Sequence, residues 1–190
     1  ERNAVTTVGI EHKLGIHASP TCTLQYENAT GYLVGELHKG LRAMFVMMNE
    51  ARFGIGVQGL GISQRAFQRA NDYAHSRIQG AVMGRDGIAP IAEHPDVRRL
   101  LLSMSSRISA MRALVVFAAD LLDRADDEDS LTLAEFFTPL VKSWCTEESV
   151  RITSDAIQVH GGMGFIEETG AAQHFRDARI GPIYEGTTAI

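Results

Sequence analysis

The sequence predicts a mainly α-helical chain: an antiparallel helical bundle preceded by a few short β-strands. Three observations carry this reading. Apolar residues recur every three or four positions through three long stretches. Runs rich in β-branched residues cluster in the first 36 positions. Hydrophobic residues make up 45% of the 190 positions and charged residues 22%, a balance that supports a packed core and excludes a disordered chain.

The elements follow in order. Val5-Thr6-Thr7-Val8 and Thr21-Cys22-Thr23-Leu24-Gln25-Tyr26 read as short strands, punctuated by Gly9, Gly15, Pro20 and Asn28. Two or three such strands cannot bury a face alone, so residues 1–36 read as the tail of a larger sheet and residues 37–190 as the bundle. From Lys39 the period becomes helical, with Leu41, Met44, Phe45 and Met48 at i, i+3, i+4 and i+7, and a long helix is expected from Glu50 to Arg77. His94-Pro95-Asp96 opens the next, with proline in the first turn and an acid beside it. Its apolar stripe is Val97, Leu100, Met104, Ile108, Met111, Val115, Ala118 and Leu122. Residues 124–130 are polar and read as a loop. Ser130 or Thr132 is expected to cap a third helix carrying Leu133, Phe137, Leu140, Trp144, Ile152 and Ile157. Short helices are expected after Gly170 and Tyr184. Three helices of this length are what a bundle requires.

Composition narrows the function. A formal net charge of −5 disfavours a broad nucleic-acid or anionic-lipid surface. No uninterrupted apolar run has membrane-span length. Two cysteines, Cys22 and Cys145, make no disulfide framework and fit a reducing, cytoplasmic compartment. The seven histidines form no H-E-x-x-H, and there is no C-x-x-C or G-x-S-x-G, so neither a metal site nor a serine nucleophile is expected. Position 1 is Glu, and the chain stops at Ile190 without a polar tail. It reads as a piece of a longer polypeptide, with proteolytic maturation as the alternative.

Gly54-Ile55-Gly56-Val57-Gln58-Gly59 matches G-x-G-x-x-G, but a dinucleotide fingerprint needs a strand before it, and residues 44–52 read as helix. The better reading is a small-residue helix face made by Ala51, Gly54, Gly59 and Gly61, since each glycine costs a helix up to about 1 kcal/mol and needs a packing reason. The cations Arg98, Arg99, Arg107, Arg112, Arg124 and Lys142 read mostly as solvated or paired with acids such as Asp120 and Asp123, with a phosphate contact as the minority reading.

The end of the chain is the most unusual part. His160-Gly161-Gly162-Met163-Gly164 places three glycines in four positions after an amphipathic helix, where one would serve as a C-cap. The uncovered main chain suits close approach to a phosphate or a ring, and a flexible connector is the competing reading. Tyr184-Glu185-Gly186-Thr187 follows the apolar Ile180, Pro182 and Ile183. A carboxylate desolvated in such a setting is a usable general base. An ordinary acid at a helix start is the alternative.

The segments Asp155–Phe165 and Phe175–Thr187 together resemble the carboxy-terminal part of the acyl-CoA dehydrogenases, and the resemblance covers nearly the whole chain. Lys13–Cys22 and His94–Val97 are most similar to the larger bacterial subgroup. The resemblance implies a flavoprotein that removes hydrogen from the α and β carbons of an acyl-CoA thioester, with FAD as cofactor and an electron-transfer flavoprotein or similar acceptor as partner. It also implies a homo-oligomer, a dimer or tetramer. Glu185 matches the family's base, with its own N–H as one donor to the thioester oxygen. Asn49, Arg52 and Tyr184 match substrate positions. Arg77, Gln79, Gln158, Gly161, Gly162 and Thr187 match cofactor positions, with Arg77 and Gln79 reaching the flavin diphosphate across a subunit boundary. Gly80, His94-Pro95 and Ala189 depart from the family pattern. Some relatives carry the base on the long helix, where Ala51 stands here, with Glu50 one step back. Two alternatives remain at this point: an acyl-CoA oxidase, and a helical oligomerisation module without activity of its own.

Overall fold

The computed structural model describes residues 3–84 and 86–187. Four strands and four α-helices occur among them: β1 (Val5–Ile10), β2 (Cys22–Tyr26), α1 (Gly40–Ser76), β3 (Ile78–Ala81), β4 (Ile88–Pro90), α2 (Pro95–Asp123), α3 (Glu128–His160) and α4 (Ala171–Ala178). β1 and β2 pair antiparallel, Val5 opposite Tyr26 and Ile10 opposite Cys22, with an irregularity between Thr7 and Gly9. Both strands are exposed along their whole length. This ribbon is tied to the bundle where the Ile16 N–H donates to Asp177 at 2.6 Å and Gly15 lies against the main chain of Arg176.

The two helical stretches expected around Lys39 and from Glu50 form one 37-residue helix, α1. Its first turns run out past the bundle, so Leu41, Met44 and Phe45 keep the helical period but stay exposed. β3 and β4 form a second small ribbon that the sequence reading missed. Gly80 explains one departure from the family pattern. Its φ of +70° is open to glycine at little cost and strained for other residues.

α2 begins at the anticipated place, with Pro95 in the first turn and Asp96 beside it. Its stripe is buried from Leu100 through Met104, Ile108, Met111 and Val115 to Ala118. It is also long and apolar enough to cross a membrane by length and composition, but its buried stripe forms the centre of the bundle core. α3 starts earlier than expected: Asp127 is the cap, its carboxylate accepting from the Ser130 N–H at 2.9 Å. The packed face of α3 also differs from the expected one. Of the expected stripe, Ile152 is buried and Phe137 packs against the core, but Leu133, Leu140 and Trp144 are exposed, and Ala134, Val141, Cys145, Ser149 and Ala156 are buried in their stead. Small residues win that face because α1 lies too close for large ones.

The glycines of α1 show how close. A Cβ at Gly56 would overlap Val141, and one at Gly59 would lie 2.9 Å from the Cys145 carbonyl oxygen. Gly54 and Gly61, expected on the same face, meet nothing within 4 Å. The small-residue reading therefore holds for Gly59 and extends to Gly56, but not to Gly54 or Gly61. Together with the Tyr73–His160 ring stack at 4.6 Å, these contacts set α1 and α3 parallel, while α2 runs antiparallel between them in sequence. α4 follows Gly170 as anticipated, whereas residues 185–187 are not helical and residues 188–190 lie outside the described residues.

Candidate active site

Residues 180–184 form a hydrogen-bonded turn, with the Ile183 and Tyr184 N–H groups donating to the Ile180 carbonyl at 2.8 and 3.1 Å. The turn delivers Glu185 to the seam between α1 and α3. Glu185 has φ +55°, a left-handed conformation that costs a non-glycine residue about 1–3 kcal/mol. Gly186 follows at φ +100°, where glycine is required.

Three side chains from the long helices hold this turn. Arg52 on α1 donates from Nε to the Glu185 carbonyl at 3.1 Å and from Nη1 to Asn49 Oδ1 at 3.3 Å. Lys142 on α3 donates to the Gly186 carbonyl. The Tyr184 hydroxyl donates to Gln58 Oε1 on α1 at 2.6 Å, and burial raises its pKa, so the phenol stays protonated. Lys142 is only 3% exposed, and burial, followed by the nearby Arg52 charge, pulls its ammonium pKa down. Glu185 Oε2 is buried and has no hydrogen-bond partner among the described residues. Arg52, Pro139, Lys142, Ser143, Glu185, Gly186 and Thr187 line a hollow of about 340 Å³. Arg52 and Pro139 also line an adjoining groove of about 510 Å³ that contains Asn49 and Phe53.

A buried, unpartnered carboxylate oxygen beside an open hollow is unusual, because buried polar atoms are nearly always bonded. It has one strong acceptor free, and the main chain beneath it is fixed. Chemically, such an oxygen can accept a hydrogen bond or a proton. Glu50, the weaker candidate, is exposed on α1.

The remaining candidates lie at the other end of the bundle. Arg77 and Gln79 follow the end of α1, with Arg77 Nη2 donating to Gln79 Oε1 at 3.4 Å and His94 bonding the Gln79 carbonyl at 2.9 Å. Gln158, Gly161 and Gly162 close α3 beside them, all exposed. Gly161 has φ +58°, and nothing stands within 4 Å of a Cβ placed at Gly161 or Gly162. Gly164 differs: it is buried, packed on the Ile157 carbonyl. Arg52 and Arg77 are separated along α1 by roughly 25 residues, or roughly 37 Å of helix. Asn49, Arg52, Tyr184, Glu185 and Thr187 thus form one group, and Arg77, Gln79, Gln158, Gly161 and Gly162 another.

The sequence reading missed two members of the first group, Lys142 and Gln58. In sequence Lys142 reads as one of a set of cations mostly solvated or paired with acids, but it falls on the buried face defined by Thr138, Val141, Cys145 and Thr146. That spacing was the available signal. The other cations behave as expected: Arg99 pairs with Asp96, Arg124 with Asp120, and Arg107 with Glu148 and Asp155.

The family model of the acyl-CoA dehydrogenase C-terminal domain matches residues 38–190. The chain belongs to the acyl-CoA dehydrogenase family. Over its full length it is 52% identical to the 3-methylmercaptopropionyl-CoA dehydrogenase of Ruegeria pomeroyi, of which it covers 34%. Among solved structures, it superposes on Caenorhabditis elegans ACDH-11 in complex with C11-CoA with a TM-score of 0.87 at 28% identity, covering 98% of this chain and 31% of that one. The acyl-CoA dehydrogenase from Bacillus anthracis complexed with FAD gives a TM-score of 0.85, also at 28% identity, covering 98% and 34%. The chain spans about a third of the length of these relatives. Membership bears out the helical fold class and the family resemblance drawn from Asp155–Phe165 and Phe175–Thr187.

Proposed function

We propose that this chain is the acid-bearing part of a flavin-dependent dehydrogenase that introduces a double bond between the α and β carbons of an acyl-CoA thioester. The observation that carries this is the Glu185 carboxylate: one oxygen buried and unpartnered, on a residue held at positive φ, facing a hollow that the long helices line. Glu185 takes the α proton. The C–H bond electrons move toward the thioester carbonyl, so the α C–H is acidic only where that oxygen is held by donors. The Glu185 N–H is one such donor in this reading, which places base and oxygen donor on the same residue. Tyr184, bonded to Gln58, closes one side of the turn against water. Asn49 and Arg52 line the groove toward which the rest of the thioester extends.

FAD, when bound, supplies the acceptor for the hydride that leaves the β carbon. The exposed residues of the second group fit such a cofactor: a guanidinium fork at Arg77 with Gln79 beside it, and bare main chain at Gly161 and Gly162 where side chains would obstruct a close approach. Thr187 belongs to the first group. One chain holds these groups tens of ångströms apart, which supports a homo-oligomer in which the second group serves the flavin site of another copy. In the same reading, residues 1–36 are the last strands of a β-domain, the enzyme works in the cytoplasm, and reduced flavin is reoxidised by an electron-transfer flavoprotein or similar acceptor. The 3-methylmercaptopropionyl thioester is the substrate named for the 52% identical relative and is the first to try.

The test uses the holoenzyme that contains this chain. Glu185→Gln keeps the volume and removes the base. It should stay yellow and lose flavin bleaching by acyl-CoA by a factor of about 10²–10⁴. Bleaching at the wild-type rate would overturn the assignment.

A further inference from the structure

Two cations, Arg52 and Lys142, line the hollow with Glu185, and the hydrogen bonds of both to this turn go to main-chain oxygens. Arg52 donates to the carbonyl of Glu185, and Lys142 donates to that of Gly186. The carboxylate oxygen Oε2 is left unpartnered beside them. A carboxylate bound directly by a guanidinium or ammonium would be a weaker base and would be drawn out of the hollow. Cations that grip the backbone beneath it fix its position and leave its lone pairs free.

Lys142 is the more telling of the two. A lysine is almost never fully buried without a reason, and this one sits on the helix face that packs against the turn. A methionine there would fill the same space at lower desolvation cost. We propose that Lys142 is a positioning residue for the base: its buried ammonium, bonded to the Gly186 carbonyl, locks the Glu185–Gly186 turn in the strained conformation that aims the carboxylate into the hollow. This rests on Glu185 being the base.

The charged groups that act on Lys142 are Arg52 from α1, Glu147 from its own helix and Glu185 from the turn. Burial and Arg52 lower its pKa, while the two acids oppose this. As pH rises on the alkaline side, Lys142 loses its proton earlier than an ordinary lysine. The lock then loosens, and proton abstraction slows. An arginine in its place stays charged through that range.

The experiment follows flavin reduction by acyl-CoA in the anaerobic holoenzyme, as a function of pH, for wild type, Lys142→Met, Lys142→Gln and Lys142→Arg, with Glu185→Gln alongside. Lys142→Met should lower the reduction rate constant roughly 30-fold or more at neutral pH while KM changes less than roughly 3-fold. Lys142→Arg should recover much of the rate and move the alkaline fall in rate to higher pH, which a merely structural lysine would not do. Independently of turnover, amide hydrogen exchange over residues 184–187 should speed up in Lys142→Met and return toward wild type in Lys142→Arg. If Lys142→Met does not fold, Lys142→Gln, which keeps a donor without the charge, gives the same comparison. Wild-type rates in Lys142→Met or Lys142→Gln, or an unchanged alkaline limb in Lys142→Arg, overturn the proposal while a dead Glu185→Gln leaves the base in place. An active Glu185→Gln overturns both.

Discussion

Two glycine clusters of this chain look alike as strings and are opposites in space. In Gly54–Gly59 the glycines at 56 and 59 are buried where α1 meets α3, and any added carbon would strike Val141 or Cys145. In Gly161–Gly164 the first two glycines face open space, and only Gly164 is packed. The first cluster is absence of side chain used for helix contact. The second is absence of side chain used to bare the backbone at the end of a helix. The lesson is that a glycine motif names no ligand until its surroundings are known. Of the pattern that matches a nucleotide fingerprint, Gly56 and Gly59 are sealed inside the bundle and only Gly54 is open.

Substitutions sharpen this contrast. The largest effect is expected at the sealed cluster: Gly56→Val should destabilise the bundle by about 3 kcal/mol or abolish folding, read as a lowered urea midpoint, because neither helix backbone can retreat. At the open cluster, Gly162→Ala should leave the unfolding free energy from urea titration within about 0.5 kcal/mol of wild type yet weaken FAD retention by the holoenzyme roughly 10-fold, measured by flavin release on dilution. The smallest effect returns to α1. Gly54→Ala adds a methyl where nothing lies within 4 Å, and should stabilise the helix by about 0.5–1 kcal/mol. If Gly54→Ala and Gly56→Val destabilise alike, the two-sided reading of this helix breaks. If Gly162→Ala unfolds the protein, the open turn is structural.

Much of this was legible in the sequence because it followed from local rules. The α2 stripe from Leu100 to Ala118 and its proline start needed only periodicity and capping. The family motifs then single out Glu185, and the bundle buries one oxygen of its carboxylate in the seam between α1 and α3. What could not be read depended on distant partners. On α3 the expected Ile152 is buried, but large residues such as Leu133 and Trp144, which signal burial in an isolated helix, are exposed, because close approach by the glycines of α1 selects Ala134, Cys145 and Ser149 instead. The start of α3 is hard to place in sequence because Asp127 sits in a run of acids, any of which could cap. Lys142 reads as a solvated or acid-paired charge in sequence because its partner, the Gly186 carbonyl, is a backbone atom more than 40 positions away. Gln58 escaped for the same reason, since it is defined by a hydroxyl at Tyr184.

The central claim is that one carboxylate near the end of the chain removes a proton from the carbon beside a thioester. The most direct measurement is deuterium uptake from heavy water at the α carbon of an acyl-CoA incubated anaerobically with the holoenzyme, read by mass spectrometry. Wild type and Glu50→Gln should both incorporate deuterium, and Glu185→Gln should not. Uptake by Glu185→Gln at the wild-type rate would contradict the account and move the base to another residue.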